Sequence, residues 1–284
     1  MTELHHPPSH LIDAAIASAL AEDFGLVGDI TSHAVFNADH VSRASVVARR
    51  QGTVAGVAIA SRVFTTVDPG ISVEVLRHDG QRVDPGDVVL RISGSTRAIL
   101  SAERVALNFA GRLSGIATLT ASYVAEVADS SAAITDTRKT TPGLRALEKF
   151  AVRAGGGRNH RFGLNDAVMI KDNHVAAAGG IASAVNRVRE SIGHTVRVEV
   201  EVDTIEQLVE LLSVVEFVDI VLLDNMSLEQ LEQAVRLVNG AMVTEASGGV
   251  TLATVKQIAA TGVDLISVGA LTHSATNFDL GLDF

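Results

Sequence analysis

The sequence lacks cysteine entirely, and aromatic residues make up only 4% of its 284 positions. Without cysteine there can be no disulfides, no thiolate metal sites and no cysteine nucleophiles. Packing must therefore rely on aliphatic side chains, which suits parallel β/α layers whose strands are buried on both faces. No apolar run reaches the length of a membrane span, and the start lacks the layout of a signal peptide. These features predict a cytoplasmic protein that does not associate with membranes.

Basic residues are also scarce, since 23 of them stand against 33 acidic residues and give a net charge of -10. This balance argues against a nucleic-acid partner, although a local basic patch could still bind a small anion. Such a patch begins in the stretch TDTRKTTPGLR (135–145) and continues to His174. It holds 8 of the 23 basic residues: Arg138, Lys139, Arg145, Lys149, Arg153, Arg158, Arg161 and Lys171.

The cations of this patch divide into two groups by their spacing. Arg145, Lys149 and Arg153 are four residues apart on a predicted helix, so we expect them to form a solvated helix face. Residues on loops or strand ends are the better candidates for ligand binding. They are four of these cations and one histidine: Arg138, Lys139, Arg161, Lys171 and His160. Zinc is not expected, because there is no cysteine and the histidines lack the spacing of a metal-binding helix.

The first part of the chain predicts a helix followed by a small antiparallel sheet. Residues 11–23 have the spacing of an amphipathic helix. Turn signals then separate four runs of β type: RASVVAR, GVAIA, ISVEVL and DVVLRI. A long helical pattern at 96–127 follows, with an expected break near Gly111 and Gly115. We therefore predict a first domain with a small antiparallel sheet over residues 1–111.

From residue 112 to 284 the pattern changes to alternating strands and helices. Six runs are strand-like: 133–136, 167–171, 196–202, 218–223, 242–246 and 264–268. Helical patterns lie at 143–153, 180–191, 204–212, 227–238 and 251–260. Alternation of this kind predicts a parallel sheet. Because the sequence has neither G-x-G-x-x-G after the first strand nor a P-loop, an α/β barrel is favoured over a doubly wound sheet.

Polar residues follow the predicted strands at the end where barrel enzymes carry their chemistry. In the run VRVEVEVD the valines alternate with Arg197, Glu199, Glu201 and Asp203, so the charged residues are expected to face the barrel interior. An alternative for Glu199 is an interior ion network with Arg197 or Lys171. The other strand-end residues include Asp136, Thr137, Lys171, Asp224, Asn225, Glu245, Ser247 and Gly269.

Three kinds of binding group therefore meet at the predicted rim. The cations suit carboxylates, and the loops ASGGVT (246–251) and VGALTHS (268–274) suit phosphate. Glu201 and Asp224 suit Mg²⁺, which usually takes one or two protein carboxylates together with substrate phosphates. Such a pocket fits an enzyme that handles a sugar phosphate and a second acidic molecule.

The segment DTRKTTPGLRALEKFAVRAGGGRNHRFGLNDAVMIKDNH (136–174) resembles the signature region of the quinolinate phosphoribosyltransferases. Further blocks resemble that family in the same order, and together they span nearly the whole chain: EDFGLVGDITS (22–32), SAERVALNFAGRLSGIAT (101–118), EVEVD (199–203), LLDN (222–225), ASGG (246–249) and VGALTHS (268–274). The resemblance implies an N-terminal α/β sandwich and an incomplete, seven-stranded α/β barrel. A C-terminal tail that packs back on the first domain is part of this expectation.

The resemblance also implies an activity and a set of site residues. The expected reaction is quinolinate + 5-phosphoribosyl 1-diphosphate → nicotinate mononucleotide + CO₂ + diphosphate, with Mg²⁺, in NAD biosynthesis. By match to the family, the substrate-binding residues are Arg104, Thr137, Arg138, Lys139, His160, Arg161, Lys171, Glu201, Asp224, Ser247, Gly248, Gly249 and Gly269. Of these, Lys139, Lys171, Glu201 and Asp224 are expected to be catalytic, and Glu201 and Asp224 to hold the metal. Arg104 is expected to reach the site of a neighbouring subunit in a homodimer, and further assembly stays open.

Three alternatives remain at this stage. A phosphoribosyltransferase that takes nicotinate would need fewer cations, because its substrate has one carboxylate. A homologue linked to metal transport would keep the fold and change the substrate. A sugar-phosphate binding protein without catalysis would have no need for Glu201 and Asp224 together.

Overall fold

The computed structural model describes residues 4–284, which divide into two compact units. The first unit comprises the chain up to Ala121, with Thr140–Gly156 and Ala270–Phe284 added from later in the sequence. The second unit comprises Ser122–Lys139 and Gly157–Gly269. The boundary predicted at residues 111/112 falls inside a helix, α4, which runs over Thr96–Glu126.

The first unit contains a four-stranded antiparallel sheet and a two-stranded one. Its strands are β1 (Val41–Ala48), β2 (Gly52–Thr53), β3 (Ser72–Val75), β4 (Arg82–Val83), β5 (Val88–Ser95) and β12 (Leu280–Asp283). The larger sheet has the order β12-β1-β5-β3, and β2 pairs with β4. Because β12 pairs with β1, the C-terminal strand belongs to the first unit.

Helices of the first unit lie before, between and after these strands. They are α1 (Ser9–Phe24), α2 (Ile30–Val35), α3 (Val57–Val67), the larger part of α4, α5 (Arg145–Ala154) and α11 (Ala270–His273). The β-type prediction for GVAIA is wrong, because this run begins α3 after the left-handed Gly56 (φ 79°). A short apolar run cannot distinguish strand from helix. Over the longer window Val57, Ala60 and Phe64 are buried at helical spacing.

Helix α4 is continuous through Gly111 and Gly115, so the predicted break is also wrong. Both glycines instead allow the C-terminal segment to approach the helix closely. A Cβ at Gly115 would lie 2.1 Å from the Thr276 carbonyl oxygen, and one at Gly111 would lie 2.9 Å from the Phe278 carbonyl oxygen. These glycines therefore serve packing and do not end the helix.

The solvated face predicted for α5 is wrong as well. Lys149 is only 3% exposed, and Arg145 is half-buried with its Nε donating to the Thr140 hydroxyl at 2.9 Å. The buried Glu148 carboxylate, on the same helix, accepts from Arg112 Nη2 at 2.8 Å and from the Thr141 amide at 3.0 Å. The four-residue spacing of the basic residues predicts only that they share a helix face. It does not show that this face is packed against other parts of the chain.

The second unit is built on a six-stranded parallel sheet. Its strands are β6 (Ala133–Thr135), β7 (Val168–Ile170), β8 (Val198–Val202), β9 (Ile220–Asp224), β10 (Val243–Ser247) and β11 (Leu265–Ser267). These are the six strands that the sequence predicted. Each strand from β7 to β11 pairs with the next along the chain, and β11 pairs with β6. The order is that of an α/β barrel with a gap between β6 and β7.

A short polar segment lies on the open side of β6. Arg158 forms an isolated parallel bridge with Thr135. Its amide donates to the Ile134 carbonyl at 2.8 Å, and its carbonyl accepts from the Asp136 amide at 3.2 Å. This bridge adjoins the gap. The resemblance implied seven strands, and the parallel sheet has six among residues 4–284.

The helices of the second unit connect its strands. They are α6 (Asp172–Ala178), α7 (Ile181–Ser191), α8 (Ile205–Leu212), α9 (Leu228–Val238) and α10 (Val255–Ala260). Two of them begin with a capping box, Thr204 with Gln207 on α8 and Ser227 with Gln230 on α9, which satisfies the first amides of each helix. Across residues 4–284, none of the helices combines the length and the apolarity that crossing a membrane requires.

Candidate active site

A cavity of about 280 Å³ opens at the carboxyl ends of the parallel strands of the second unit. The residues that line it come from the six strands, from the segments that follow them and from the segment between α5 and β7. They are Thr137, Arg138, Lys139, His160, Arg161, Met169, Lys171, Glu201, Leu222, Asp224, Glu245, Ser247 and Ser267. Nine predicted site residues are among them, so the polar strand ends do converge.

The acidic residues of β8 lie on one face of the strand, as the alternation of valine and charged residues in the sequence predicted. Val198, Val200 and Val202 are fully buried on the other face. Exposure rises along the acidic face, from the buried Glu199 through Glu201 to the exposed Asp203 at the strand end. Glu199 does not pair with Arg197, because Arg197 Nη1 donates to Asp219 at 2.6 Å.

Arg161 is a half-buried cation of the cavity. Its Nη1 donates to the Ala167 carbonyl at 3.1 Å, and its Nη2 lies 3.6 Å from the Met169 sulfur. Burial lowers the pKa of Arg161, and the positive charge of Arg138 lowers it further. The buried Nε of Arg161 has no hydrogen-bond partner among residues 4–284. Two guanidinium groups held this close create a strong attraction for an anionic ligand.

Lys171 follows β7 directly and pairs with Glu201 on the neighbouring strand β8. The Lys171 side chain is 44% exposed and the Glu201 side chain 13%. Lys171 is predicted to bind the acidic substrate, and Glu201 is predicted to contact the ribose and the metal. The ion pair therefore connects the two predicted substrate regions. In the turn that follows β6, the Lys139 amide donates to the Thr137 hydroxyl at 3.0 Å.

His160 lies above two buried carboxylates. Its Nε2 lies 3.1 Å from Glu199 Oε2 and 3.5 Å from Glu245 Oε1. The Arg161 amide donates to its Nδ1 at 2.7 Å. Since Nδ1 accepts, the ring proton is assigned to Nε2, which faces the carboxylates.

Glu245 is the residue of this group whose protonation is most strongly perturbed. Burial raises the pKa of its carboxyl to about 7, and the negative charges of Glu199 and Asp136 add to the rise, whereas His160 and Ser267 oppose it. The side chain is 1% exposed, and its Oε1 has no hydrogen-bond partner among residues 4–284. The Glu245 carboxyl group therefore changes its protonation state close to neutral pH.

The loop after β10 requires glycine at its first two positions. Gly248 has φ 93°, and a Cβ there would lie 2.1 Å from Asn225 Oδ1. Gly249 has φ 59°. The amide of Asn225 donates to the Ser247 carbonyl at 2.9 Å, so the loops after β9 and β10 are joined. These glycine-containing loops lie at strand ends, where phosphate groups bind in barrels.

Four predicted site residues do not line the cavity. Gly248 and Gly249 follow the lining residue Ser247, and Gly269 lies two residues after Ser267. Arg104 lies on α4 in the first unit, where its side chain is 65% exposed and its guanidinium is 4.0 Å from Glu103. The structure of one chain thus places Arg104 at the surface of its own unit.

The sequence prediction of the site omitted four lining residues: Met169, Leu222, Glu245 and Ser267. The sequence does indicate Glu245 as a polar strand-end residue, two residues before Ser247 on the same face, but the prediction gives it no role in the site. The apolar Met169 and Leu222 carry no comparable signal.

The donor set of the cavity fits Mg²⁺. Glu201 and Asp224 are carboxylates that line the same space, and hard divalent cations prefer such oxygen ligands. A second group of possible ligand atoms, from His160, Glu199 and Glu245, lies within 4.8 Å of one another and includes neither of these residues.

Two family models match the chain. The model described as the quinolinate phosphoribosyl transferase N-terminal domain matches residues 29–114. The model described as the quinolinate phosphoribosyl transferase C-terminal domain matches residues 116–283. Together they cover most of the sequence.

Individual relatives agree with these matches. The chloroplastic nicotinate-nucleotide pyrophosphorylase (carboxylating) of Arabidopsis thaliana is 47% identical over 295 residues, which cover 97% of this chain and 84% of that protein. The quinolinate phosphoribosyltransferase (decarboxylating) 1b of Nicotiana tabacum is 44% identical with the same coverage. The crystal structure of NadC from Streptococcus pyogenes superposes with a TM-score of 0.94 at 41% identity, covering 100% of this chain and 98% of that one.

Proposed function

Because the chain belongs to the quinolinate phosphoribosyltransferase family, we propose that it transfers the phosphoribosyl group of 5-phosphoribosyl 1-diphosphate to quinolinate. The products are nicotinate mononucleotide, CO₂ and diphosphate, a step of NAD biosynthesis. The observation that carries this proposal is the meeting of cations and carboxylates in one cavity, with Arg138, Arg161 and Lys171 lining the same space as Glu201 and Asp224. A dicarboxylate and a ribose diphosphate require these two kinds of group together.

The cations bind and orient quinolinate. Guanidinium groups match carboxylates in shape and charge, so Arg138 and Arg161 hold the two carboxylates of the substrate. The Arg161 Nε atom supports this role, because it is buried without a partner among residues 4–284. Lys139, Lys171 and His160 complete the surroundings of the pyridine ring, and Thr137 lines the same wall. Held in this way, the ring nitrogen faces the ribose.

The glycine loops and the acidic residues serve the second substrate. Amide groups around Ser247, Gly248, Gly249 and Gly269 bind the 5-phosphate of 5-phosphoribosyl 1-diphosphate. Glu201 and Asp224 lie at the ribose. Positive charge develops there when the pyridine nitrogen attacks C1′ and the bond from C1′ to diphosphate breaks, and their carboxylates stabilise that charge.

Loss of CO₂ follows from the charge of the adduct. The bond from C2 to its carboxylate breaks, its electron pair stays on C2 next to the positive ring nitrogen, and C2 then takes up a proton. The cations orient both carboxylates, and burial limits the access of water. Mg²⁺ held by Glu201 and Asp224 would neutralise charge on the diphosphate as it leaves.

The experiment that tests this function is conversion of quinolinate by the purified protein, measured as nicotinate mononucleotide by chromatography. We expect product only when quinolinate, 5-phosphoribosyl 1-diphosphate and MgCl₂ are all present, and chelation of Mg²⁺ should stop it. A protein that forms no product under these conditions would contradict the proposal. Product formed from nicotinate in place of quinolinate, at similar kcat/KM, would favour the nicotinate-specific alternative.

We propose in addition that the active protein is a homodimer in which Arg104 completes the site of the partner subunit. Several large apolar side chains of the first unit are exposed near the start of α2, namely Leu26, Val27 and Ile30. Ser101 Oγ donates to Asp29 Oδ2 at 2.9 Å, which ties this apolar surface to α4 only three residues from Arg104. Exposed apolar surface beside an unburied arginine is typical of a subunit interface.

Subunit complementation tests the dimer. Arg104→Ala and Lys139→Ala proteins are each expected to be inactive. After exchange of subunits, half of the dimers are mixed, and one of their two sites is intact. The mixture should therefore regain about a quarter of the wild-type activity. No recovery, although mass spectrometry shows mixed dimers, would contradict the role of Arg104 across the interface.

The location of the protein is proposed to be cytoplasmic, on the basis of its acidic and cysteine-free composition. Cell fractionation followed by immunoblotting tests this, and recovery in a membrane or secreted fraction would contradict it.

A further inference from the structure

Asp136 is a fully buried carboxylate at the end of β6, directly before the segment that carries Arg138 and Lys139. Its Oδ1 accepts from the His160 amide at 2.8 Å. Its Oδ2 accepts from Asn159 Nδ2 at 2.6 Å. Two cation-bearing segments are thus joined. One carries Arg138 and Lys139 after Asp136, and the other carries His160 and Arg161; both carboxylate oxygens of Asp136 accept from the second segment.

These two bonds continue a short backbone pairing. The chain at Arg158 pairs with β6 through a parallel bridge to Thr135, and the Asp136 amide forms the last backbone bond of this pairing. Beyond that point the two segments separate to surround the cavity. The Asp136 carboxylate holds them together at the place where backbone pairing ends.

The two segments need such a link because their charges repel. Arg138 and Arg161 lie close enough for the charge of Arg138 to lower the pKa of Arg161. The segment that leads to Arg161 is polar and glycine-rich, with the sequence GGGRNHR at 155–161. It has few apolar side chains that could fix its position by packing.

We propose that Asp136 is a positioning residue that links the two cation-bearing segments, so that Arg138 and Arg161 face quinolinate from fixed positions. The inference rests on the proposed function and assigns a role to a residue that does not line the cavity. It predicts that the link matters for binding of quinolinate and not for binding of 5-phosphoribosyl 1-diphosphate, because the phosphate loops are on β10 and β11.

Asp136→Ala and Asp136→Asn separate positioning from charge. Alanine removes both bonds, so the KM for quinolinate should rise about tenfold or more, while the KM for 5-phosphoribosyl 1-diphosphate changes less than about twofold. Asparagine can accept from the His160 amide and donate to Asn159 after rotation of the Asn159 amide. Asp136→Asn should therefore remain within about threefold of the wild type.

Asn159→Ala covers the case in which Asp136→Ala fails to fold, because Asn159 is exposed and its removal leaves the core intact. It removes one of the two bonds and should raise the KM for quinolinate by about three- to fivefold. If Asp136→Ala folds, adding Asn159→Ala to it should change little, because the shared bond is already gone.

An unchanged KM for quinolinate in Asn159→Ala would overturn the inference. So would equal rises in the KM of both substrates in Asp136→Ala, or an Asp136→Asn protein as impaired as Asp136→Ala. These results are distinct from a failure of the proposed function, in which the wild-type protein itself forms no product.

Discussion

Lys171 and Glu201 form an ion pair across the neighbouring strand ends of β7 and β8. One partner is proposed to contact quinolinate and the other the ribose. The pair therefore connects the two proposed substrate regions, and we expect substrate binding to replace this contact by contacts with the ligands. Each side chain keeps the other in place until then.

Replacement of either partner is expected to lower kcat/KM, and the two effects should not add. Lys171→Ala and Glu201→Gln should each cost about 10²-fold. The double variant should lose less than the product of these factors, because each single change already breaks the pair. Steady-state kinetics of the four proteins measure this coupling, and fully multiplicative effects would contradict it.

The pair between Arg197 and Asp219 is a matched control at the other end of β8. The Arg197 side chain is 74% exposed and far from the strand ends. Arg197→Ala should leave kcat/KM within about twofold of the wild type.

Arg161→Ala is expected to raise the KM for quinolinate by about 10²-fold and to change the KM for 5-phosphoribosyl 1-diphosphate little. Arg161→Lys should not restore binding, because a lysine lacks the planar fork that matches a carboxylate. Arg158→Ala is the control, since Arg158 belongs to the same segment but its side chain does not line the cavity. An Arg161→Ala protein with an unchanged KM for quinolinate would show that the binding pocket is wrongly assigned.

Glu245 should make the free energy of unfolding depend on pH. Its pKa is raised from 4.5 to about 7 in the folded protein, so the folded state binds a proton more tightly than the unfolded state. This contribution to stability is fully present below pH 4.5 and is lost as pH rises through about 7. Between pH 5 and pH 8, Glu245→Gln should gain stability relative to the wild type by about 1–3 kcal/mol.

Urea denaturation at several pH values measures this difference. Glu229→Gln is the control, because hydrogen bonds from its own amide and from Ser227 lower the pKa of Glu229 and keep it ionised over the same range. A Glu245→Gln protein whose stability follows the wild type at every pH would show that Glu245 is ionised in the fold.

Gly248→Ala is expected to weaken binding of 5-phosphoribosyl 1-diphosphate. The new Cβ would collide with Asn225 Oδ1 at 2.1 Å in a backbone conformation with φ 93°. We expect a loss of stability of about 1–3 kcal/mol and a higher KM for this substrate. Gly193→Ala, where nothing lies within 4 Å of the added Cβ, should change stability by less than about 0.5 kcal/mol. Equal behaviour of the two variants would argue against a fixed loop.

The sequence predicts the parallel strands well because each is a short run of β type between turn signals. It also predicts most of the cavity, since polar residues at the ends of β6 to β10 must meet at one edge of a parallel sheet. The first-unit errors have a common cause. Local spacing does not show which segment packs against a residue. That contact decides the secondary structure at GVAIA, the continuity of α4 at Gly111 and the burial of Lys149.

The parts of the site that could not be predicted depend on contacts between distant segments. Asp136 meets Asn159 and His160 only because Arg158 pairs with β6. The raised pKa of Glu245 arises from burial and from the negative charge of Glu199, which comes from another strand. Such charge interactions become visible only when the sheet is assembled.

Release of CO₂ from quinolinate labelled with ¹⁴C in one carboxylate at a time tests the central claim most directly. With label in the carboxylate on C2, the account predicts one ¹⁴CO₂ for each diphosphate formed, and none when 5-phosphoribosyl 1-diphosphate is omitted. With label in the carboxylate on C3, all radioactivity should remain in nicotinate mononucleotide. Diphosphate formed without ¹⁴CO₂ from the C2 label, or no turnover of quinolinate at all, would contradict the account.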